Sequence, residues 1–384
     1  MADDQPGLFE LPDHHRSLQA EARELADSVR HLAAEADDAD RVHPAMRAAL
    51  AASGLAGVMV PAEYGGRNAA VDSLAATVVR EALAGVSAHL DSLFAMQGIG
   101  TFALARAGAD AVRARWLPAV AAMDAIAALA VTEPHVGSDL KAISTTVEER
   151  GGRLRITGHK SFITNAGDAD TYAVLAREAD GYSLVLVPAD TPGLSTSSPH
   201  QIIAPHVLGD VVLDGAEVPA DHRIGGPGEG FSLVMATLAT FRVSVAGAAV
   251  GMAEAALMEA VRHSVGREQF GMPLARLGSI PEHLATAWTE IEMARSLTYR
   301  AAAAAARDPL ANLWLSSMAK AGATEMAGRV VDRAVQVAGR FGVTRGTALE
   351  RFYREARPMR IYEGSTEVIY DSLARQLTKK AAQS

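Results

Sequence analysis

The sequence predicts a multidomain α+β chain in which two helical segments bracket a β segment. Three observations carry that expectation. The 384 residues exceed the size at which a single core usually stops growing. Apolar residues recur at helical steps through the first third and again after Phe231. Between these regions, from Thr145 to Val218, turn-forming pairs separate short alternating runs, the pattern of strands. Hydrophobic residues make up 49% and charged residues 21%, so the chain is not disordered. Aromatics are only 5%, which points to an aliphatic, alanine-rich core of closely packed helices.

The elements follow in order. Leu18, Ala22, Leu25, Val29, Leu32 and Ala36 step by fours and threes and share one helical face. Pro44 suits the start of a second helix and Gly54 its end. Val60 to Gly66 is a turn-rich loop. Helical patterning then runs from about Asp72 to Ala105 and on to Ala122. The texture changes near residue 126. Gly151-Gly152 reads as a hairpin turn leading into the alternating run Arg153 to Thr157. Asp180-Gly181 is a second hairpin signal, between Tyr172–Ala176 and Ser183–Val187, and Val207–Leu213 supplies a further strand. Gly225 to Gly230 lacks the spacing of a phosphate loop and reads as an interdomain turn. Beyond it, Leu284, Trp288, Ile291 and Ala294 trace one helix face. Met318, Met326, Val330 and Ala334 trace another.

Composition excludes several functions. Thirty-six Lys and Arg against 45 Asp and Glu give a net charge of −9, which disfavours nucleic acid or an anionic membrane as partner. Cysteine is absent, so thiolate metal sites, disulfides and Cys nucleophiles are excluded. A reducing, cytoplasmic location fits. Met1 to Gln5 is acidic with no apolar run behind it, unlike a signal peptide. The charge-free apolar stretches fall short of the roughly 18 residues of a membrane span, and Arg242 interrupts the longest candidate. Twelve scattered histidines offer no metal-ligand spacing, and no metal is expected.

Five segments carry chemistry. Val131 to Asp139 lies where helix gives way to strand, and its glycine and hydroxyl residues suit a polar ligand or a capped domain junction. Gly158 to Asn165 follows a strand. Arg267 to Gly271 ends a helix; an Arg beside an aromatic there suits a phosphate or a flat ring, and a C-cap explains it equally. Gln336 to Gly342 ends another helix. Ile361 to Glu367 is the sharpest feature. A carboxylate at Glu363, beside an aromatic, would have a raised pKa and serve as a base near neutrality; a solvated loop carboxylate is the plainer reading.

Together and in this order, Val60–Gly66, Val131–Asp139, Gly158–Asn165, Arg267–Gly271 and Ile361–Gly364 resemble the VPxxYGG, TEPxxGSD, GxKxFITN, RxQFG and IYEG segments of the acyl-CoA dehydrogenase family. The likeness spans about residues 15 to 380. It implies an N-terminal helical domain (1–124), a middle β-barrel-like domain (125–228) and a C-terminal four-helix bundle (229–384). FAD would lie between them and across a contact within a homotetramer. Leu129, Val131, Thr132, Gly137 and Ser138 would line the flavin, and Phe162, Ile163 and Thr164 would cover its other face. Arg267, Phe270, Gln336, Gly339 and Arg340 would reach a neighbouring subunit's cofactor. Ser365 and Glu367 would meet the nucleotide end. Ser138, Arg242, Tyr362 and Gly364 would contact the acyl thioester.

The resemblance makes Glu363 the catalytic base. It would take the α-proton of an acyl-CoA, or of a carrier-protein thioester, while the β-hydride passes to flavin N5 and a trans-2-enoyl thioester forms. The thioester carbonyl would be held by the backbone N–H of Glu363 and a flavin hydroxyl. Relatives that place the base before the helix Arg would put it at Phe241, which cannot accept a proton. The implied electron acceptor is an electron-transferring flavoprotein. Alternative readings are an acyl-CoA oxidase or flavin monooxygenase on the same scaffold, or a scaffold that has lost its flavin. The chain departs from the family's pattern at Arg340, where a second glycine is usual, and at Gly278, Ala239 and His135.

Overall fold

The computed structural model describes residues 10–383 apart from 180, 198 and 205. Met1 to Gln5 and Asp180, both used above, lie outside the described residues. The first third is helical, with α1 (Asp13–Ser28), α2 (Ala33–Asp37), α3 (Pro44–Ser53), α4 (Ser73–Ala84), α5 (Ala88–Ala107) and α6 (Asp110–Ala121). The first apolar stripe is not one helix. α1 stops at Ser28, and a tighter 3-10 turn over Arg30–Leu32 leads into α2. The stripe still points inward, with Leu18, Ala22, Leu25, Val29 and Ala36 buried and only Leu32 half-buried. α3 starts at Pro44 and stops where Gly54 takes a φ of 63°. The side chains of Asp72 and Ser87 cap α4 and α5 by accepting from Leu74 N–H and Leu90 N–H.

The middle segment holds β1 (Ala127–Ala130), β2 (Thr146–Arg150), β3 (Arg153–Thr164), β4 (Thr171–Glu178), β5 (Gly181–Pro188), β6 (Leu194–Thr196), β7 (Leu208–Pro219) and β8 (Arg223–Ile224). They form one sheet in the order β6-β7-β3-β2-β4-β5-β8, with β1 parallel to β4. Gly151 and Gly152, at φ 58° and 74°, make the two-residue turn that pairs Arg150 with Arg153. From Arg153 to Thr157, side chains alternate exposed and buried, so one face of β3 turns to the core.

The last segment contains α7 (Gly230–Gly266), a small hairpin of β9 (Glu268–Gln269) and β10 (Met272–Pro273), then α8 (Ile280–Arg307), α9 (Leu313–Ala338), α10 (Ala348–Met359) and α11 (Thr366–Gln383). α7 crosses α4 at very short range. A Cβ at Gly251 would lie 1.8 Å from Glu81 O, and one at Gly247 2.5 Å from Thr77 O. Glycines four apart on α7 thus receive carbonyls four apart on α4, joining the two helical segments in one core. Ala246, Ala249, Val250 and Ala253 of α7 are fully buried, which is the alanine-rich packing that composition suggests.

Two expectations need correction, and two apolar helix faces are more exposed than their pattern alone suggests. α7 has 37 residues and is long and apolar enough to cross a membrane by length and composition, although the count above stopped at Arg242. Its most apolar window is 83% buried among the protein's own helices, so α7 is a core helix. Trp288 on α8 is 65% exposed and Met318 on α9 is 39% exposed, so those faces are not wholly turned to the chain's own core. Gly271 is not a helix cap: α7 ends at Gly266, and Phe270 and Gly271, at φ 52° and 77°, turn the β9–β10 hairpin.

Candidate active site

Two of the singled-out segments are stitched together by a buried ion pair. β1 leads into Val131–Asp139, and β3 carries Gly158–Thr164. The Lys160 ammonium, fully buried, donates to Glu133 Oε1 and to Val131 O, both at 2.9 Å. Glu133 also accepts from Ser144 N–H, Ser144 Oγ and Thr145 N–H. Burial would raise its carboxyl, but the bonds from Thr145 and Ser144 outweigh this and bring it down to about 2. Burial lowers Lys160 to about 8 against the pull of Glu133, so both groups are charged at neutral pH. Ser161 N–H donates to Thr132 O at 2.9 Å, completing the seam.

That seam places Thr132 beside the end of β3. The side-chain hydroxyls of Thr132, Ser138 and Thr164 make no hydrogen bond to another described residue. Phe162 is 53% exposed and holds a left-handed φ of 56°, so an aromatic ring stands out from the strand end. His200 stacks on it at 4.5 Å and 13°, anchored by Asp210 at 2.8 Å.

Glu363 lies in the turn between α10 and α11, at a φ of 54°, and Gly364 follows at 102°. A left-handed glutamate persists only if its surroundings hold it. Arg242 of α7 donates from Nε to Glu363 O at 3.0 Å and from Nη1 to Ser317 Oγ at 3.0 Å. Lys320 of α9 donates to Gly364 O at 2.6 Å. The residue is half-buried, yet its Oε2 is buried with no partner, and its N–H meets no backbone acceptor. Burial pushes the Glu363 carboxyl up; Arg80, Arg242 and Lys320 pull it back, and Asp91 opposes them. Arg80 of α4 is itself pinned by Asp91 of α5 at 2.8 and 2.7 Å and by Ser244 at 3.0 Å. Tyr362 is 41% exposed, yet enough protein surrounds it that burial pushes its phenol up.

The alternative base position is closed. Phe241 is 1% exposed, and a Cβ at Gly98 would lie 2.6 Å from its Cζ. Its ring meets Phe102 edge-on at 5.8 Å.

A second constellation sits at the far end of α7. Arg267 and Arg340 flank the Phe341 ring at 5.4 and 5.0 Å, beside an open hollow of about 410 Å³ lined by Arg262, His263, Gly266, Arg267, Glu268 and Phe341. Neither guanidinium has an ion-pair partner among the described residues. Gly339, at φ 59° and ψ −132°, closes α9 beside them in a conformation that glycine alone tolerates. Phe270, at the hairpin tip, is 89% exposed.

Comparison with known proteins decides what this arrangement belongs to. The acyl-CoA dehydrogenase N-terminal, middle and C-terminal domain families match residues 12–124, 128–213 and 228–378. The chain belongs to the acyl-CoA dehydrogenase family. It is thereby an FAD-dependent oxidoreductase. The probable acyl-CoA dehydrogenase fadE25 of Mycobacterium leprae is 34% identical over 97% of both chains. The cyclohexane-1-carbonyl-CoA dehydrogenase of Geobacter metallireducens is 31% identical, over 98% of this chain and 100% of its own. A glutaryl-coenzyme A dehydrogenase solved with glutaryl-CoA superposes with a TM-score of 0.91 at 30% identity, covering 96% of each chain.

Within the family frame, the fold brings the expected residues into three groups. Thr132, Ser138, Phe162 and Thr164 gather at the β1–β3 seam. Arg242, Tyr362, Glu363 and Gly364 gather where α7, α9 and the α10–α11 turn meet. Arg267, Gln336, Gly339 and Arg340 lie at the outer hollow and the neighbouring end of α9. Ser365 O accepts from Ile369 N–H at 3.0 Å and so opens α11, while Glu367 is exposed. The dehydrogenase's Glu133–Lys160 pair, Arg80–Asp91 pair and Lys320 escaped the sequence reading. Their one signal is an ionisable residue within an otherwise apolar stretch, as Lys320 is within α9.

Proposed function

We propose that this acyl-CoA dehydrogenase desaturates the α,β-bond of an acyl thioester, with Glu363 as base and a trans-2-enoyl thioester as product. The observation that carries the reading is Glu363 itself. It is held in a left-handed turn by Arg242 and Lys320, with a buried Oε2 that has no partner and an N–H left free. A free N–H suits the thioester carbonyl, polarising it and acidifying the α-hydrogen. The ionised carboxylate takes that proton. Tyr362 and Phe241 contribute apolar surface that limits water around the base.

The residues fit FAD. Three unpartnered hydroxyls and the outstanding Phe162 ring are offered at one seam, the unpaired Arg267 guanidinium lines the outer hollow, and the unpaired Arg340 lies over Phe341 beside it. When bound, FAD supplies the acceptor for the β-hydrogen and its electron pair. Thr132 and Thr164 would bond the ring edge, Phe162 would cover one face, and Arg267 would hold the diphosphate of a neighbouring subunit's cofactor. A homotetramer is proposed with it. Phe270, Trp288 and Met293, at 89%, 65% and 69% exposure, offer apolar surface for such contacts. The proposed electron acceptor is an electron-transferring flavoprotein.

Anaerobic mixing with a panel of acyl-CoA esters of differing length, branching and ring content tests the reading. Bleaching of the flavin by at least one ester, with slow reoxidation in air, is expected. Rapid peroxide release would make the protein an oxidase, and no bleaching by any ester would overturn the reading.

A further inference from the structure

Lys320 is a fully buried ammonium in α9, flanked by Ala319 and Ala321, and it neither gives nor takes a proton in the reaction proposed above. Burying a cation is costly unless nearby groups compensate it. One direct partner is the carbonyl of Gly364 at 2.6 Å. Three carboxylates surround it: Glu363, Glu325 and Glu367. Glu325 is already engaged by Arg360 Nη1 at 3.1 Å and Thr366 Oγ1 at 3.0 Å. Glu367 is exposed to water. The carboxylate left uncommitted in the interior is Glu363, whose Oε2 has no partner.

The bonds of Lys320 and Arg242 act on consecutive carbonyls. Arg242 holds Glu363 O and Lys320 holds Gly364 O. The two peptide planes flank Gly364, so fixing both fixes the φ and ψ of Gly364 and anchors the carbonyl end of Glu363, which restrains the turn that carries the Glu363 side chain. Glu363 stands at a φ of 54°, where a side-chain-bearing residue does not stay without restraint. We propose that Lys320 is a positioning residue for the reaction: with Arg242 it clamps the left-handed turn that aims the base, and it sets a positive charge behind the carboxylate. The proposal rests on the reading of Glu363 as base.

The charge would act on the same carboxylate as Arg242 from α7, Arg80 from α4 and the opposing Asp91 from α5. Tyr362, in the turn itself, faces both Glu363 and Glu355 of α10, and Glu325 and Glu367 face Lys320. Removing the ammonium leaves Asp91 and burial less opposed. The carboxylate should then hold its proton to higher pH.

The test uses the flavin-loaded protein, with Lys320→Met as a neutral side chain of similar length and Lys320→Arg as a charge-keeping one. Rapid-mixing flavin reduction is followed against pH. Separately, calorimetry in buffers of different ionisation enthalpy measures proton uptake when a non-oxidisable acyl-CoA thioether binds. Lys320→Met is expected to slow reduction by roughly 10–100-fold with thioether affinity little changed. The midpoints of both the rate and the proton uptake should move to higher pH, and Lys320→Arg should recover most of the wild-type profile. If Lys320→Met does not fold, Lys320→Gln carries the test, since it keeps a donor to Gly364 O without the charge. A folded neutral variant with wild-type rate and unmoved midpoints overturns the proposal. Glu363→Gln is the control: normal reduction in that variant removes the base assignment itself, whatever Lys320 does.

Discussion

Arg242 grips Glu363 by its backbone, donating from Nε to the main-chain oxygen at 3.0 Å, and leaves the Glu363 Oε2 without a partner. An arginine bonded directly to the carboxylate would neutralise it and hold its pKa low. Bonding the carbonyl instead restrains the turn and lets the carboxylate stay a usable base. Arg242 is half-buried with Ser317 as its other partner, so it supports the base from beneath.

Glu363→Gln keeps the size and packing of the side chain but cannot take a proton. Flavin reduction by substrate should fall at least about 10²–10⁴-fold while acyl-CoA binding persists through the N–H. Because burial raises the Glu363 carboxyl, the wild-type rate should rise with pH through a midpoint above the ordinary carboxylate range. The Gln variant should lose that step. Single-turnover absorbance across pH reads both. A variant rate near wild type would mean that another group takes the proton.

Local rules read much of the fold and a smaller part of the site. Gly151-Gly152, Pro44 and Gly54 act through their own backbone preferences, so their turn and helix ends are legible from neighbouring residues alone. Periodicity reports that a face is apolar and is silent on what covers it, which is why Trp288 and Met318 share faces with core residues and yet stand largely and partly exposed. The hairpin at Phe270 was hidden because a glycine after a helix signals a cap as readily as a two-residue turn. Glu133 and Lys160 are 27 residues apart in sequence, and only the sheet brings them together. Arg80, Arg242 and Lys320 converge on Glu363 from separate helices, a relation that no single window of sequence contains.

The Glu133–Lys160 pair should be indispensable to the seam. Removing one partner of a buried pair typically costs about 3–5 kcal/mol, because the other charge is left uncompensated. Lys160→Met is therefore expected to lower chemical-denaturation stability by that order and to weaken FAD retention, since Thr132 is tied to β3 by the same seam. Adding Glu133→Gln should restore part of the stability. The measurement is a double-mutant cycle in urea. Additive losses would show that the two charges do not depend on each other.

Arg267 stands beside Phe341 with no ion-pair partner among the described residues. If it neutralises a cofactor diphosphate, Arg267→Ala loses a charge-assisted bond of about 1.5–3 kcal/mol. FAD should then bind roughly 10–100-fold more weakly, most visibly at low salt, with the helical content unchanged. Equilibrium dialysis measures the binding, and sedimentation of the same samples reads the assembly state. A wild-type protein that is monomeric with FAD bound would remove the proposed tetramer, and unchanged retention in the variant would remove Arg267 from the cofactor.

Acid should destabilise the fold through His89. Its Nε2 accepts from His43 N–H at 3.0 Å, which requires the neutral ring, and burial lowers its pKa to about 4. Burial lowers His206, bonded to Ser92, to about 4 as well. In the unfolded chain these rings protonate near 6.5, so as pH falls below that value the unfolded state takes up protons first and stability drops. The loss continues to about pH 4, below which both states are protonated. For His89 it amounts to at most about 3 kcal/mol. Denaturation midpoints between pH 7 and pH 4 should show the decline, and His89→Gln, which cannot be protonated, should flatten it. A curve of equal slope in the variant would assign the acid loss to other groups.

Gly251→Ala tests whether the α4–α7 crossing sets the geometry of the base. Alanine is the better helix former by about 1 kcal/mol, which on its own would stabilise α7. The added Cβ, however, would lie 1.8 Å from Glu81 O and 2.7 Å from Glu81 C, both backbone atoms with no rotamer to escape into. Overpacking of this kind costs typically about 1–3 kcal/mol and sometimes more, so the clash outweighs the propensity. The helices must part, and Glu81 adjoins Arg80, whose charge pulls down the Glu363 carboxyl. The variant is therefore expected to melt at lower temperature and to shift the midpoint of flavin reduction to higher pH, in the direction expected when a cation withdraws from the base. Thermal melts and the pH profile of single-turnover reduction read the two effects separately. A lower melting temperature with an unmoved midpoint would confine the crossing to stability and leave Arg80 without influence on Glu363.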